Sequence, residues 1–463
     1  MKKLYILLAL LVLNTLTIKL SAQETLKRKI GQMIMTGVLG TEMPDKIYPD
    51  LDTLKIDIAE RNLGGVLEFA YNLKSPAQMK LLSDKMKSFA QTPLLVSTDQ
   101  EGGKVARLGS SNGFYASSTA YTMGTVIDNM DSTRLWASTM AGWLEQAGVN
   151  VDFAPVADVL VNPQSPVIAG LFRSFNKNPL KVASHAGYFI EELHKKNIIS
   201  TLKHFPGHGS AASDSHLGFT DITNTWADSE LVPYRELISK GLVDIIMTGH
   251  LYNSKIDTLP ATLSVKTVQG ILRNQLGYKG VVVSDEMSMG AISKYYGLFE
   301  AAALAVNAGV DILLYNRNIL SDGTSLVRKL QEYLEKKVLD GTIPQSRIDE
   351  SYARIMTLKN KYFYPSVVGT ISASITPDKY EVKGYPNPFN NAIKFQVKIP
   401  VSSSSALKIY DMLGREVASI MDEYKTAGVY YLNWNALNLS SGIYFAVLHS
   451  GSFTQTTKLM LLK

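Results

Sequence analysis

The densest group of reactive side chains runs from Lys203 to His216, where Lys203, His204, His208, Asp214 and His216 share fourteen positions bent by Pro206, Gly207 and Gly209. Three of the chain's seven histidines fall there. In Asp214-Ser215-His216 a carboxylate stands two residues before an imidazole. That pairing suits proton transfer near neutral pH, because the carboxylate fixes the tautomer and stabilises the charged ring. His204 and His208 have a spacing that would put two metal ligands on one helix face. The intervening Phe-Pro-Gly denies that helix, so neither a metal nor another cofactor is expected. A second acidic centre, Ser284-Asp285-Glu286, follows the apolar run Val281-Val282-Val283. Taken singly, Asp285 fits a helix N-cap as well as a reactive carboxylate.

These residues need a scaffold, and the apolar pattern supplies one. Eight short apolar runs read as strands: 32–37, 65–69, 93–98, 149–153, 199–203, 243–248, 280–284 and 310–315. Several are continuously apolar, as expected of parallel strands buried on both faces. Amphipathic segments lie between them at 133–146, 182–196, 229–240, 265–276, 299–308 and 326–337. Another opens at Ser75-Pro76 with a serine N-cap and a proline in the first turn. Eight alternations predict an α/β fold, a (β/α)8 TIM-type barrel. Most strands end in polar residues: Thr98 to Gly103, Asp152, Lys203-His204, Thr248-Gly249-His250, Ser284-Asp285-Glu286 and Tyr315-Asn316. A barrel gathers such ends on one rim, where catalytic sites are built.

At 463 residues the chain has room for a large domain and a smaller one. Hydrophobic content of 46% with 19% charged residues is ordinary globular composition. A net charge of +6 with no basic run interleaved with aromatics argues against nucleic-acid binding. There is no cysteine, which excludes thiol chemistry. Met1-Lys2-Lys3, the apolar stretch Leu4–Leu13 and Ser21-Ala22 predict a signal peptide over 1–22, too short to serve as a membrane span. The predicted division is then a barrel domain over 23–362, a linker over 363–379 and an all-β domain over 380–463. No transmembrane segment is expected in the mature chain. In the last domain Tyr430, Tyr431 and Trp434 are either a carbohydrate platform or core.

Six fragments in the barrel occur in the order seen in glycoside hydrolase family 3, and the 203–216 segment resembles the signature of its β-N-acetylglucosaminidase branch. Thr98 to Arg107 matches the sugar-binding segment, and Asp152 to Val159 matches the next strand end. Arg173-Ser174-Phe175 matches a sugar-gripping loop, here lengthened around Ala169–Phe172. Ser284 to Met289 matches the nucleophile motif, with Glu286 where the family commonly has a second aspartate. The resemblance implies a retaining exo-glycosidase in which Asp285 attacks the sugar, His216 is acid and base, and Asp214 orients it. Asp99, Arg107, Arg173, Lys203 and His204 would hold the sugar, and cations such as Lys203 are expected to keep Asp285 ionised. The implied substrate is terminal N-acetylglucosamine of peptidoglycan fragments or chito-oligosaccharides. Two other readings stand: a phosphorylase on the same scaffold, with phosphate replacing water, and a surface carbohydrate-binding protein that has lost catalysis. Residues 380–463 resemble the C-terminal sorting domain of type IX secretion substrates through Tyr385-Pro386-Asn387-Pro388-Phe389, Ile409 to Val417, Ala427 to Tyr430, Ser441 to Phe445 and Lys458 to Lys463. That likeness implies export through the periplasm, by way of the type IX machinery, to the cell surface or medium.

Overall fold

The computed structural model describes residues 24–38, 49–363, 369–370, 377–390, 392–436 and 439–462. The expected signal peptide, most of the expected linker and Lys463 lie outside the described residues. The chain divides into two compact units, one over Thr25–Lys359 and one that includes Asn360–Lys463.

The first unit is built on eight parallel strands: β1 Ile34–Gly37, β2 Gly65–Leu67, β3 Leu95–Thr98, β4 Val151–Asp152, β5 Ile199–Phe205, β6 Ile245–Thr248, β7 Val281–Ser284 and β8 Leu313–Tyr315. Seven of the eight expected runs contain one of them, and β5 fills its expected run 199–203 and continues to Phe205. They pair in chain order from β1 to β7, and β8 pairs with β1. The ring closes at a parallel bridge between Val283 and Ile312, where the Ser284 amide donates to the Ile312 carbonyl at 2.9 Å. All eight strands are buried along their length, which explains their continuous apolar character.

Helices cover the outside. α1 Leu26–Gln32, α2 Pro49–Ala59 and α3 Pro76–Phe89 open the series. Ser75 caps α3 as its sequence predicts, with Oγ accepting the Gln78 amide at 3.2 Å. α4 Met130–Ala147 and α5 Pro179–Lys195 each start on an asparagine cap. α6 Val232–Ser239, α7 Leu298–Ala308, α8 Leu326–Leu339 and α9 Gln345–Phe363 complete it. On the side of the barrel away from the strand ends, Asp311 binds three arginines at once: Arg273 at 2.7 Å, Arg347 at 2.6 Å and Arg354 at 3.0 Å. Two of the three come from α9, so this buried carboxylate fastens the last helix to the barrel.

The second unit is a sandwich of two four-stranded antiparallel sheets. Its strands are β9 Gly369–Thr370, β10 Glu381–Tyr385, β11 Ala392–Ile399, β12 Ser403–Tyr410, β13 Glu416–Lys425, β14 Gly428–Asn435, β15 Gly442–Ser450 and β16 Phe453–Leu461. One sheet runs β9-β14-β11-β10 and the other β13-β12-β15-β16. Burial alternates along the strands, and inward residues such as Phe395, Leu407, Trp434 and Leu448 form one core. Tyr430 and Trp434 belong to that core, at 2% and 5% exposure. These two are therefore packing residues, which removes the carbohydrate-platform reading for them. Among the described residues no helix is long and apolar enough to cross a membrane.

Candidate active site

The strand ends converge on a pocket of about 310 Å³. Asp99, Arg107, Arg173, Lys203, His204, His216 and Asp285 all line it. Asp214 joins them through its bond to His216, so the eight residues expected to act on or hold the sugar come together at one site.

Asp99 and Arg107 meet because a tight hairpin, Gln100–Gly102 against Val105–Ala106, folds the segment back on itself. Arg107 Nη2 then donates to Asp99 Oδ2 at 3.0 Å. The turn needs glycine: Gly103 has φ +61°, and a Cβ there would lie 2.3 Å from Thr119 Cγ2.

Beneath this hairpin is a buried charge network. Lys203 Nζ bridges Asp99 Oδ1 at 2.8 Å and Glu101 Oε1 at 2.7 Å. Arg173 forks onto Glu101, with Nε to Oε2 at 2.8 Å and Nη2 to Oε1 at 2.7 Å, and Nη2 also lies 3.2 Å from His204 Nε2. Burial alone would raise both carboxyls, but the cations outweigh it. Lys203 and Arg107 hold Asp99 well below its usual range, and Arg173 and Lys203 hold Glu101 down. Asp152, at the end of β4 under the same network, goes the other way. Burial pushes it well above the usual carboxylate range; Oδ1 accepts the Gln100 amide at 2.9 Å, and Oδ2 has no hydrogen-bond partner among the described residues.

Asp158 organises the start of the histidine-rich loop. It accepts His204 Nδ1 at 2.7 Å and the backbone amides of His204 and His208 at 3.1 and 2.8 Å. Burial works against its ionisation, yet His204 and these amides hold it at about 2. His208 is pressed down to about 4, first by burial and then by His204. Its Nε2 faces Ser215 Oγ at 3.2 Å, so each of the two closely spaced histidines has a protein partner. Further on, Gly207 takes φ +126° against Glu230, whose Cβ would lie 2.6 Å from any Cβ added there.

Asp214 and His216 form the expected pair. His216 Nδ1 lies 2.8 Å from Asp214 Oδ1, which also accepts the His216 amide at 2.9 Å. The imidazole is 62% exposed, although it borders the pocket. The loop is tied down behind it, where the Gly290 amide donates to the His216 carbonyl at 3.2 Å and Lys294 Nζ to the Leu217 carbonyl at 2.7 Å.

Asp285 follows β7 directly, its amide held by the Thr248 carbonyl at 3.0 Å. Its Oδ1 accepts the adjacent Glu286 amide at 2.8 Å. Asp285 is not a helix cap, since the next helix, Gly290–Ser293, starts on Met289 with no side-chain cap. Glu286 instead braces the turn, its Oε1 accepting the Ser288 amide at 3.0 Å, Ser288 Oγ at 2.6 Å and the Asn316 amide at 3.0 Å. Burial raises the Asp285 carboxyl, but His250, His204 and His216, with the Glu286 amide, bring it below its usual value. The expectation that Lys203 does this needs correction: that ammonium is taken up by Asp99 and Glu101, and three imidazoles bear on Asp285 instead, of which His250 is itself pushed down by burial. His250 sits buried between Thr262 Oγ1 at 2.8 Å and the Glu286 carbonyl at 2.9 Å. Glu101, Asp158, His250 and Asp152 went unassigned from sequence, although each stands at or just after a polar strand end.

Residues 25–358 match the family described as glycosyl hydrolase family 3 N terminal domain, and residues 383–462 match the secretion system C-terminal sorting domain. Beta-hexosaminidase A of Pseudoalteromonas piscicida is 33% identical over 345 residues, covering 68% of this chain but only 55% of its own length. Beta-hexosaminidase of Tolumonas auensis is 35% identical over 283 residues, 58% of this chain and 82% of that protein. Among solved structures, a glycoside hydrolase family 3 beta-N-acetylglucosaminidase from Paenibacillus sp. superposes with a TM-score of 0.67 at 34% identity, over 77% of this chain and 66% of that one. A beta-N-acetylhexosaminidase from Beutenbergia cavernae gives 0.65 at 26% identity, over 73% of this chain and 99% of that one.

Proposed function

The chain belongs to glycosyl hydrolase family 3, and from that premise we propose that it is an exported, exo-acting, retaining β-N-acetylglucosaminidase. Its substrates are peptidoglycan fragments or chito-oligosaccharides carrying non-reducing terminal N-acetylglucosamine. The observation that carries the reading is that Asp285, its carboxyl held below the usual range, and His216, bonded to Asp214, line one pocket with five groups able to hold sugar hydroxyls.

In the first step an Asp285 carboxylate oxygen bonds to the anomeric carbon as the bond to the leaving oxygen breaks. His216, as imidazolium, gives that oxygen its proton. Asp214 keeps Nδ1 engaged, so that Nε2 carries the proton in play. In the second step neutral His216 takes a proton from water, whose oxygen bonds to the anomeric carbon and releases Asp285. Asp99, Arg107, Lys203, His204 and Arg173 fix the sugar over Asp285. Because they already bond one another, the sugar meets a preorganised frame that needs little reordering. Exposure of His216 and the glycines before it support a loop that closes on substrate. Residues 380–463 would act as the type IX sorting signal, routing the enzyme through the periplasm to the cell surface or medium.

The test is to trap the enzyme with a fluorinated N-acetylglucosamine analogue and map the adduct by mass spectrometry. A glycosyl group on the peptide containing Asp285 supports the reading. Absence of any adduct, or its attachment elsewhere, overturns it. Release of sugar phosphate when phosphate is added would reassign the protein as a phosphorylase.

A further inference from the structure

Beyond His216 the same loop carries an aromatic cluster that neither the fold nor the proposed chemistry requires. Phe219 packs against Tyr252 with ring centroids 4.7 Å apart, and against Tyr295 at 5.7 Å. These rings are not core: Phe219 is 43% exposed and Tyr295 58%, beside Leu217 at 73%. The patch adjoins the pocket through the chain: Phe219 lies three residues beyond His216, and Tyr295 six beyond Met289, both of which line the pocket. An exposed apolar patch in such a place marks a binding surface rather than a packing defect. It comes from three separate loops, following β5, β6 and β7.

Those loops are fastened together. Thr220 and Asp221 pair in parallel with Leu251 and Tyr252, and the Ile222 amide donates to the Tyr252 carbonyl at 2.8 Å. The Gly290 and Lys294 bonds to the His216 and Leu217 carbonyls tie in the third. The three rings of this shelf are therefore held against one another before any ligand arrives and travel together with the loop that carries His216, so binding there costs little side-chain ordering.

We propose that Phe219, Tyr252 and Tyr295 form the subsite for the saccharide ring on the leaving side of the scissile bond. The inference rests on the glycosidase reading above. In that reading the departing oxygen must lie next to His216, so the ring that bears it continues along the loop from His216 toward Phe219. In chito-oligosaccharides and peptidoglycan fragments alike, that next unit is a sugar. A pyranose presents a face of C–H groups, which an aromatic ring with one open face matches, while its hydroxyls stay in water.

The experiment compares kcat/KM for chitobiose and for N-acetylglucosaminyl fluoride, whose leaving group has no ring, in wild type, Phe219→Ala, Tyr295→Ala and the double variant. The ratio of chitobiose to fluoride is expected to fall about tenfold in the double variant, the loss of stacking contacts worth about 1.4 kcal/mol, and to recover in Phe219→Tyr. A ratio that does not change overturns the shelf while leaving the glycosidase reading intact. Wild-type protein that cleaves neither substrate overturns the glycosidase reading itself.

Discussion

Replacing Glu230 with glutamine is expected to stabilise the barrel at pH 7 more than at pH 5. Glu230 is fully buried beneath the histidine-rich loop, where Oε2 accepts the amides of Gly209 at 3.0 Å and Ser210 at 3.3 Å. Its Oε1 has no hydrogen-bond partner among the described residues. Burial, reinforced by the charge of Asp158, pushes its carboxyl from 4.5 up to about 8. Between those values the folded chain keeps a proton that the unfolded chain releases. Stability contributed by this group is thus complete below 4.5 and is lost as pH rises towards 8. At pH 7 the gap above 4.5 is two and a half pH units, worth about 3 kcal/mol at 1.36 kcal/mol per unit; at pH 5 less than about 1 kcal/mol has been lost. Glutamine keeps an oxygen for the two amides and cannot ionise. Urea unfolding of both proteins at the two pH values isolates the term, because every other titrating group is common to both. The variant-minus-wild-type difference should grow by about 2.5 kcal/mol from pH 5 to pH 7. A difference that is the same at both pH values would refute the buried neutral acid and the account of how this loop is supported.

His216→Ala should slow glycosides with poor leaving groups by about 10² to 10⁴, and activated aryl N-acetylglucosaminides far less, since these need little protonation; equal losses in kcat/KM across a leaving-group series would remove His216 as the acid. Asp311→Ala leaves Arg273, Arg347 and Arg354 without their shared partner and should cost about 3 to 5 kcal/mol in urea unfolding, against little change in KM for folded enzyme. Truncation before Tyr380 should leave kcat/KM as it is and abolish export, read as retention of activity inside cells during fractionation; exported activity from the truncated chain would contradict the sorting role.

Much of the barrel could be read from the chain because both its signals are local. Continuous apolar runs mark doubly buried strands, and polar residues just after them mark the rim, so Asp99, Lys203 and Asp285 could be placed on one site before any contact was known. Arg173 was harder to place from spacing around Ala169–Phe172, and it is Glu101, 72 positions away, that fixes it. That is the general difficulty: Glu101, Asp158 and Glu230 do their work through partners distant in sequence, and no local pattern distinguishes a buried hub carboxylate from a solvated one. The last helix fell into the same gap. Its anchor is Asp311, at the start of a strand that reads simply as apolar.

The ownership of charge in the pocket bears on why an imidazole would suit the acid role proposed for His216. Lys203 and Arg173 are committed to Asp99 and Glu101 at 2.7 to 2.8 Å, which leaves Asp285 facing imidazoles rather than an ammonium or guanidinium, with His250 among them pushed down by burial. A second carboxylic acid in place of His216 would add no positive charge when loaded with its proton and would oppose Asp285 once it lost it, raising one of the two pKa values. An imidazolium does the reverse. While loaded it favours the Asp285 anion, and it gives up its charge as that anion is consumed in the bond to the sugar. Both formal charges then disappear in the same step. That cancellation would keep the cost of reaching the intermediate low.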